Sequence, residues 1–233
     1  MTATTLKKIL IEMVVINMCL CSVGHAFREP VRPKVDFKLE PYKEYEVNSL
    51  VGEEVEKVFS RLKNNKFQND SRLKQKAIHE AFKNRPQRAV RYAIGRVASR
   101  PPSVEGNLWN RGAIDEAVGK NILEIFPDLA ADMLPEAFYA GTPYARGNLV
   151  RAAGAIAGGE KVRALLIDAL YDQDFCEPEL PEMAGLPMRV CDVAYNQLVL
   201  RYNIPDVLRT IGVSHSISAR DYHIDQLIQI LGQ

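Results

Sequence analysis

Apolar residues along this chain fall three and four places apart, the spacing that gathers them on one side of an α-helix. Val47, Leu50, Val51, Val55, Val58, Phe59 and Leu62 predict an amphipathic helix over 46–64, broken at Asn64-Asn65. A helical pair follows over 71–83 and 86–99, with Ser71 suited to an N-cap and Pro86 to a first turn. Arg100-Pro101-Pro102 ends it. Further helices are predicted at 110–126, 128–140, 143–157 and 160–171, punctuated by Pro127, Gly141-Thr142-Pro143 and Gly158-Gly159. A connector over 172–187, with three prolines and five acids, leads to a helix over 188–202 whose core side holds Val190, Val193, Ala194 and Leu198. A second connector crosses 205–218. The last helix sets Ile224, Leu227, Ile228 and Leu231 on one face and stops at Gly232. No stretch alternates with period two between hairpin turns, so the fold class is all-α.

One helical phrase returns three times: Ala89-Val-Arg-Tyr-Ala-Ile-Gly-Arg96, Ala113-Ile-Asp-Glu-Ala-Val-Gly-Lys120 and Asn148-Leu-Val-Arg-Ala-Ala-Gly-Ala155. Each copy puts a small residue four places after its first and a glycine two places later. That stripe lets a neighbouring backbone come close, and it predicts helical hairpins stacked on one another.

The stretches Arg146-Gly-Asn-Leu-Val-Arg-Ala-Ala-Gly-Ala-Ile156, Val162-Arg-Ala-Leu-Leu-Ile-Asp-Ala-Leu-Tyr-Asp172 and Met188-Arg-Val-Cys-Asp-Val-Ala-Tyr-Asn-Gln-Leu198 resemble HEAT repeats, over roughly 71–202. The resemblance implies a right-handed α-solenoid that binds a protein or peptide. It also implies an Asp closing one repeat and an Arg opening the next, roles that Asp172 and Arg189 would fill across an unusually long connector. Arg146, Arg151, Arg163 and Arg189 recur along the expected stack and are the candidate partner-binding residues. Helical-repeat enzymes resembling deoxyhypusine hydroxylase hold iron through several His-Glu pairs, whereas this chain has one, His79-Glu80. The similarity to phycobilin lyases is one of fold, and no residue singles out a tetrapyrrole.

At the start of the chain, Lys7 and Lys8 precede a mostly apolar run to Val23, then Gly24-His25-Ala26 and charged, proline-rich sequence. This reads as a signal peptide over 1–26, and hence as an exported protein, periplasmic or secreted, with no transmembrane span in the mature chain. Residues 27–45, with Pro30, Pro33 and Pro41 among alternating charges, predict an extended arm, and 46–233 the helical-repeat domain. Loss of Lys7, Lys8 and Glu12 would take the net charge from +1 to zero. Cys176 and Cys191 would remain, a candidate disulfide in an oxidising compartment or two buried thiols.

Charge is unevenly spread. Between Lys57 and Arg100 stand 13 basic residues against Asp70 and Glu80, whereas 101–187 holds 14 acidic and six basic residues. Lys74, Lys76, Lys83, Arg85, Arg88 and Arg91 are therefore candidates for an anionic lipid or wall polymer, with local pairing the plainer reading. Nucleic acid is a poor partner for an exported chain of neutral total. His25, His79, His215 and His223 are scattered, so no zinc set forms, and the acidic run 172–179 lacks the glycine an EF-hand loop needs. No cofactor is implied. No Gly-x-Ser-x-Gly or phosphate-binding loop occurs, and Asp221 and His223, which a triad with Ser214, Ser216 or Ser218 would need together, are two apart on a helix and face different ways. A non-enzymatic binding module or scaffold of the cell envelope is the expected function.

Overall fold

Prolines and capping side chains decide where the helices begin. The computed structural model describes residues 40–100, 109–177, 185–204, 207 and 209–232. Among them are eleven α-helices: α1 (Pro41–Asn48), α2 (Val55–Leu62), α3 (Asn65–Gln68), α4 (Ser71–Phe82), α5 (Pro86–Ala98), α6 (Trp109–Ile125), α7 (Pro127–Ala140), α8 (Pro143–Ala153), α9 (Gly159–Asp168), α10 (Val190–Tyr202) and α11 (Ile217–Leu231). A 3-10 turn, Ala169–Tyr171, extends α9. α1, α5, α7 and α8 open on proline, whose missing N–H costs nothing in a first turn. Asp70 Oδ1 accepts the Leu73 amide at 2.9 Å, so the cap of α4 is Asp70, one residue before the expected Ser71. Ser216 Oγ caps α11 by accepting the Ala219 amide.

The helix expected over 46–64 is two. Gly52 turns the chain at φ +87°, where a side chain is strained, and separates α1 from α2. α1 begins at Pro41, inside the segment expected to be an extended arm to Tyr45, because that proline suits a helix start. The signal-peptide expectation over 1–26 and the rest of the arm lie outside the described residues.

The described molecule is all-helical, with one isolated antiparallel bridge between Phe175 and Arg189. α5 packs on α2, α6, α7 and α8; α8 packs in turn on α7, α9 and α10, and α11 lies on α10. α8 buries Gly147, Asn148, Leu149, Val150, Ala152 and Ala153, nearly its whole circumference. Full burial of a side chain such as Leu149 is worth about 1.5–3 kcal/mol. One apolar core runs from Val47 on α1 to Leu227 on α11. No described helix is long and apolar enough to cross a membrane.

Two glycines of the repeated phrase do what the pattern predicts. A Cβ at Gly119 would meet Val97 Cγ2 at 2.8 Å and the Ala93 carbonyl at 3.3 Å, which is how α5 and α6 come so close. A Cβ at Gly154 would meet the Gln197 side chain of α10. Gly95, the third, is exposed, with nothing within 4 Å of the same position.

Candidate partner-binding surface

The four arginines expected to face a partner are engaged inside the molecule. Arg146, on α8, lays its guanidinium along Asp172, donating from Nε to Oδ2 at 2.6 Å and from Nη2 to Oδ1 at 3.2 Å. It also donates to the Gly141 carbonyl at 3.1 Å and to Asp174. The Asp172 carboxylate raises the Arg146 pKa above its ordinary value. Arg151, further along α8, pairs with Glu177. Together the two fasten residues 172–177 to α8. Arg163 sits on α9 with Glu160 at 3.3 Å.

Arg189 is only 3% exposed. Its Nη2 donates to Asp192 at 2.9 Å and to Asp221 at 2.7 Å. Asp192 and Arg220 have no exposed surface at all, and Arg220 Nη1 donates to Asp192 Oδ2 at 2.9 Å. The same guanidinium holds the carbonyls of Leu186, Pro187, Val213 and His215. Asn196 adds a two-way bond with the backbone of Ile211, 2.8 Å in each direction. A clamp built of charge thus ties both connectors to α10 and α11. Asp172 and Arg189, expected to close one repeat and open the next, do not pair with each other: Asp172 is held by Arg146, and Arg189 holds Asp192 and Asp221. Arg146 and Arg151 meet carboxylates of the 172–177 connector, and Arg163 and Arg189 meet carboxylates on helices, so no outward row forms.

Cys176 and Cys191 are free and buried. Cys176 N donates to the Met188 carbonyl at 2.9 Å and Cys191 N to that of Asp172 at 2.8 Å. That antiparallel register sets Cys191 opposite 172 rather than opposite Cys176, and the Cys176 thiol donates to the Met188 carbonyl at 3.4 Å. Burial pushes both thiols up to about 12, leaving them unreactive at neutral pH.

The basic segment is partly neutralised, by Glu80 within it and by carboxylates of the residues on either side. Lys76 and Lys83 hold Glu80 at 3.5 and 2.7 Å, and Arg88 holds Glu54 at 2.9 Å. Lys63 and Arg96 share Asp115, Arg100 meets Glu116, and Arg61 meets Glu53. Burial lowers the Lys74 pKa, against the opposing pull of Glu124, and the Arg85 guanidinium lies over the Phe82 ring at 5.9 Å. Of the six candidates for an anionic surface, Arg91 is the one that stands exposed with no interaction among the described residues.

Among the described residues, the side chains weighed for a triad or an iron site have other contacts. Asp221 accepts from Arg189, His223 stacks edge-on to Tyr222 at 5.4 Å, and Ser216 caps its helix. His79 bonds Glu80 at 3.2 Å, a carboxylate held mainly by Lys83. Among the described residues, no group of three His, Cys, Asp or Glu side chains converges to hold a metal ion.

Two surfaces remain. At one end of α7, α8 and α9, four aromatic side chains stand out from the surface: Tyr139 is 62% exposed, Tyr171 65%, Phe175 49% and Tyr144 36%. Tyr139 Oη donates to Asp168 Oδ2 at 2.6 Å, tying the end of α7 to the end of α9 and raising the phenol pKa. Tyr144 opens α8 two residues before Arg146, and Tyr171 and Phe175 flank Asp172 and Asp174. A rigid ion knot therefore carries an aromatic rim. The second surface is a groove of about 290 Å³ lined by Arg91 and Ile94 of α5 and by Met133, Glu136, Ala137 and Ala140 of α7. Reading the Gly141-Thr142-Pro143 turn from its glycine and proline passed over the tyrosines on either side of it, Tyr139 and Tyr144, a sequence signal for the rim. No protein-family model matches the chain, and no curated protein or solved structure matches it.

Proposed function

We propose that this protein is a non-enzymatic binding module, a HEAT-like α-solenoid exported to the cell envelope, that captures another protein or peptide on the aromatic rim. The observation that carries this reading is the exposure of Tyr139, Tyr144, Tyr171 and Phe175 around the Arg146–Asp172–Asp174 knot. Tyrosine gives a large amphipathic contact with few torsions to freeze, and exposed aromatics on a preset frame are the usual anchors of an interface. Serial packing of α5 through α10 on one core supports the solenoid, and the leader-like residues 1–26 support export.

The test places a photo-crosslinking amino acid at Tyr144, and separately at exposed Glu56 on α2, in cells making the full chain. A single adduct formed at 144, absent at 56 and lost in Tyr139→Ala/Tyr171→Ala/Phe175→Ala, is the expected result. Equal adducts at both positions, or an adduct indifferent to the triple substitution, would remove the rim from consideration.

A further inference from the structure

The groove between α5 and α7 has walls of opposite sign. Arg91 stands exposed on one and Glu136 on the other, and among the described residues neither has a hydrogen bond or ion pair. Between them lie Ile94, Met133, Ala137 and Ala140. An apolar floor flanked by one uncommitted cation and one uncommitted anion is complementary to itself. A two-fold rotation brings Arg91 of one copy to Glu136 of the next and the reverse pair at the same time, the self-matching that defines an isologous interface.

Gly95 is an independent pointer to the same face. It stands one turn after Arg91 and directly after Ile94, two residues that line the groove. Glycine inside a helix is disfavoured relative to alanine. Gly119 and Gly154 earn their place by the close approach of Val97 and Gln197, whereas no part of the described molecule comes within 4 Å of a Cβ at Gly95. Its backbone angles are not those of the left-handed region, so no turn demands it either. The position is shaped for a close neighbour that the described residues do not supply. Ala137 and Ala140 keep the facing wall equally low, so that a helical ridge of one molecule can settle into the groove of the other.

We propose that the α5–α7 face is a dimer interface, and that its occupant is the same face of a second copy of this chain, joined by reciprocal Arg91–Glu136 pairs with Gly95 at the helix crossing. This goes beyond the rim reading and uses none of its residues.

Sedimentation equilibrium of the purified protein, from micromolar to near-millimolar concentration, tests it. The unmodified protein passes from monomer to dimer over that range. Arg91→Glu and Glu136→Arg each weaken the dimer at least about tenfold, because each sets like charges together twice. An equimolar mixture of the two variants regains a dimer, since every contact is again between opposite charges, and the double variant Arg91→Glu/Glu136→Arg does so alone. Gly95→Leu is monomeric without melting at a lower temperature, which separates a blocked interface from a damaged fold. A monomer throughout the range overturns the proposal and leaves the groove to a foreign peptide. A dimer indifferent to both reversals, or one that the mixture fails to restore, also overturns it.

Discussion

The two ends of this molecule use charge in opposite ways. Between α10, α11 and their connectors, Arg189, Asp192 and Arg220 are taken almost wholly out of water and bonded to one another and to four backbone carbonyls. Around α4 and α5, some of the same residue types form pairs that water still reaches, such as Lys83–Glu80 and Arg88–Glu54, with side chains 19–59% exposed. Buried charge is expensive to desolvate, so it is retained only where each donor and acceptor is used, and it then fixes irregular backbone in one place. Exposed pairs gain little from their Coulomb attraction and leave their partners exchangeable. One end is fastened by charge and the other is only balanced by it.

The sharpest way to break that contrast is Asp192→Asn. The change leaves Arg189 and Arg220 buried with only Asp221, itself 41% exposed, as a nearby carboxylate. Removing one partner from a buried pair costs about 3–5 kcal/mol. Against the roughly 5–15 kcal/mol that stabilises a typical domain, that is a large loss, read as a drop in the urea midpoint. A cost below about 1 kcal/mol, the value of a surface pair, would erase the distinction between the two ends.

The sequence showed the helices far better than it showed the clamp, for physical reasons. A helix is written in residues three and four apart, so Val55, Val58, Phe59 and Leu62 on α2, or Ile224 and Leu227 on α11, disclose their buried face locally. Arg220 reaches Asp192 across 28 residues and Pro187 across 33, and nothing local marks that meeting. The repeat spacing made Arg146 and Arg189 look alike, yet one is fastened to the connector after α9 and the other is sealed beneath α11. Charge counted along the chain misled in the same way. The excess of cations over 57–100 is met in part by Glu46, Glu53 and Glu54 before it and by Asp115 and Glu116 after it. For the binding surfaces, the glycine of the repeated phrase was legible, but whether a neighbour fills the space beside it is decided only by packing.

Arg146→Ala probes the middle of the comparison, where both side chains are 16–18% exposed. Loss of the two-pronged contact with Asp172 and of the bond to the Gly141 carbonyl costs about 1–2 kcal/mol, between the surface and buried limits. The damage is local. Freed from α8, residues 172–177 open more often, so the amides of Cys176, Val190 and Cys191 exchange with deuterium faster, and the Cys176 thiol is labelled faster by an aromatic disulfide. Unchanged exchange at those three amides would show that the apolar core, not the ion knot, holds the connector.

Glu80→Gln marks the weak end of the scale and carries a pH signature. The Lys83 ammonium hydrogen-bonded to Glu80, with smaller help from His79 and Lys76, holds its carboxyl at about 2, below an ordinary value of 4.5. A depressed carboxyl binds its proton later in the folded chain than in the unfolded one, so folding is favoured wherever the unfolded form has already lost that proton. The stabilisation is therefore complete above about 4.5 and fades as the pH falls toward about 2. Because the group lies in contact with water, the substitution costs under about 1 kcal/mol at neutral pH. The gap in urea midpoint between Glu80→Gln and the unmodified protein should narrow from pH 7 to pH 3, and narrow again in molar salt at pH 7. The Asp192→Asn gap should withstand the same salt, since ions do not enter a site without exposed surface. If molar salt shrank both gaps alike, the clamp would be as open to solvent as the pairs on α4, and the contrast between the two ends would be lost.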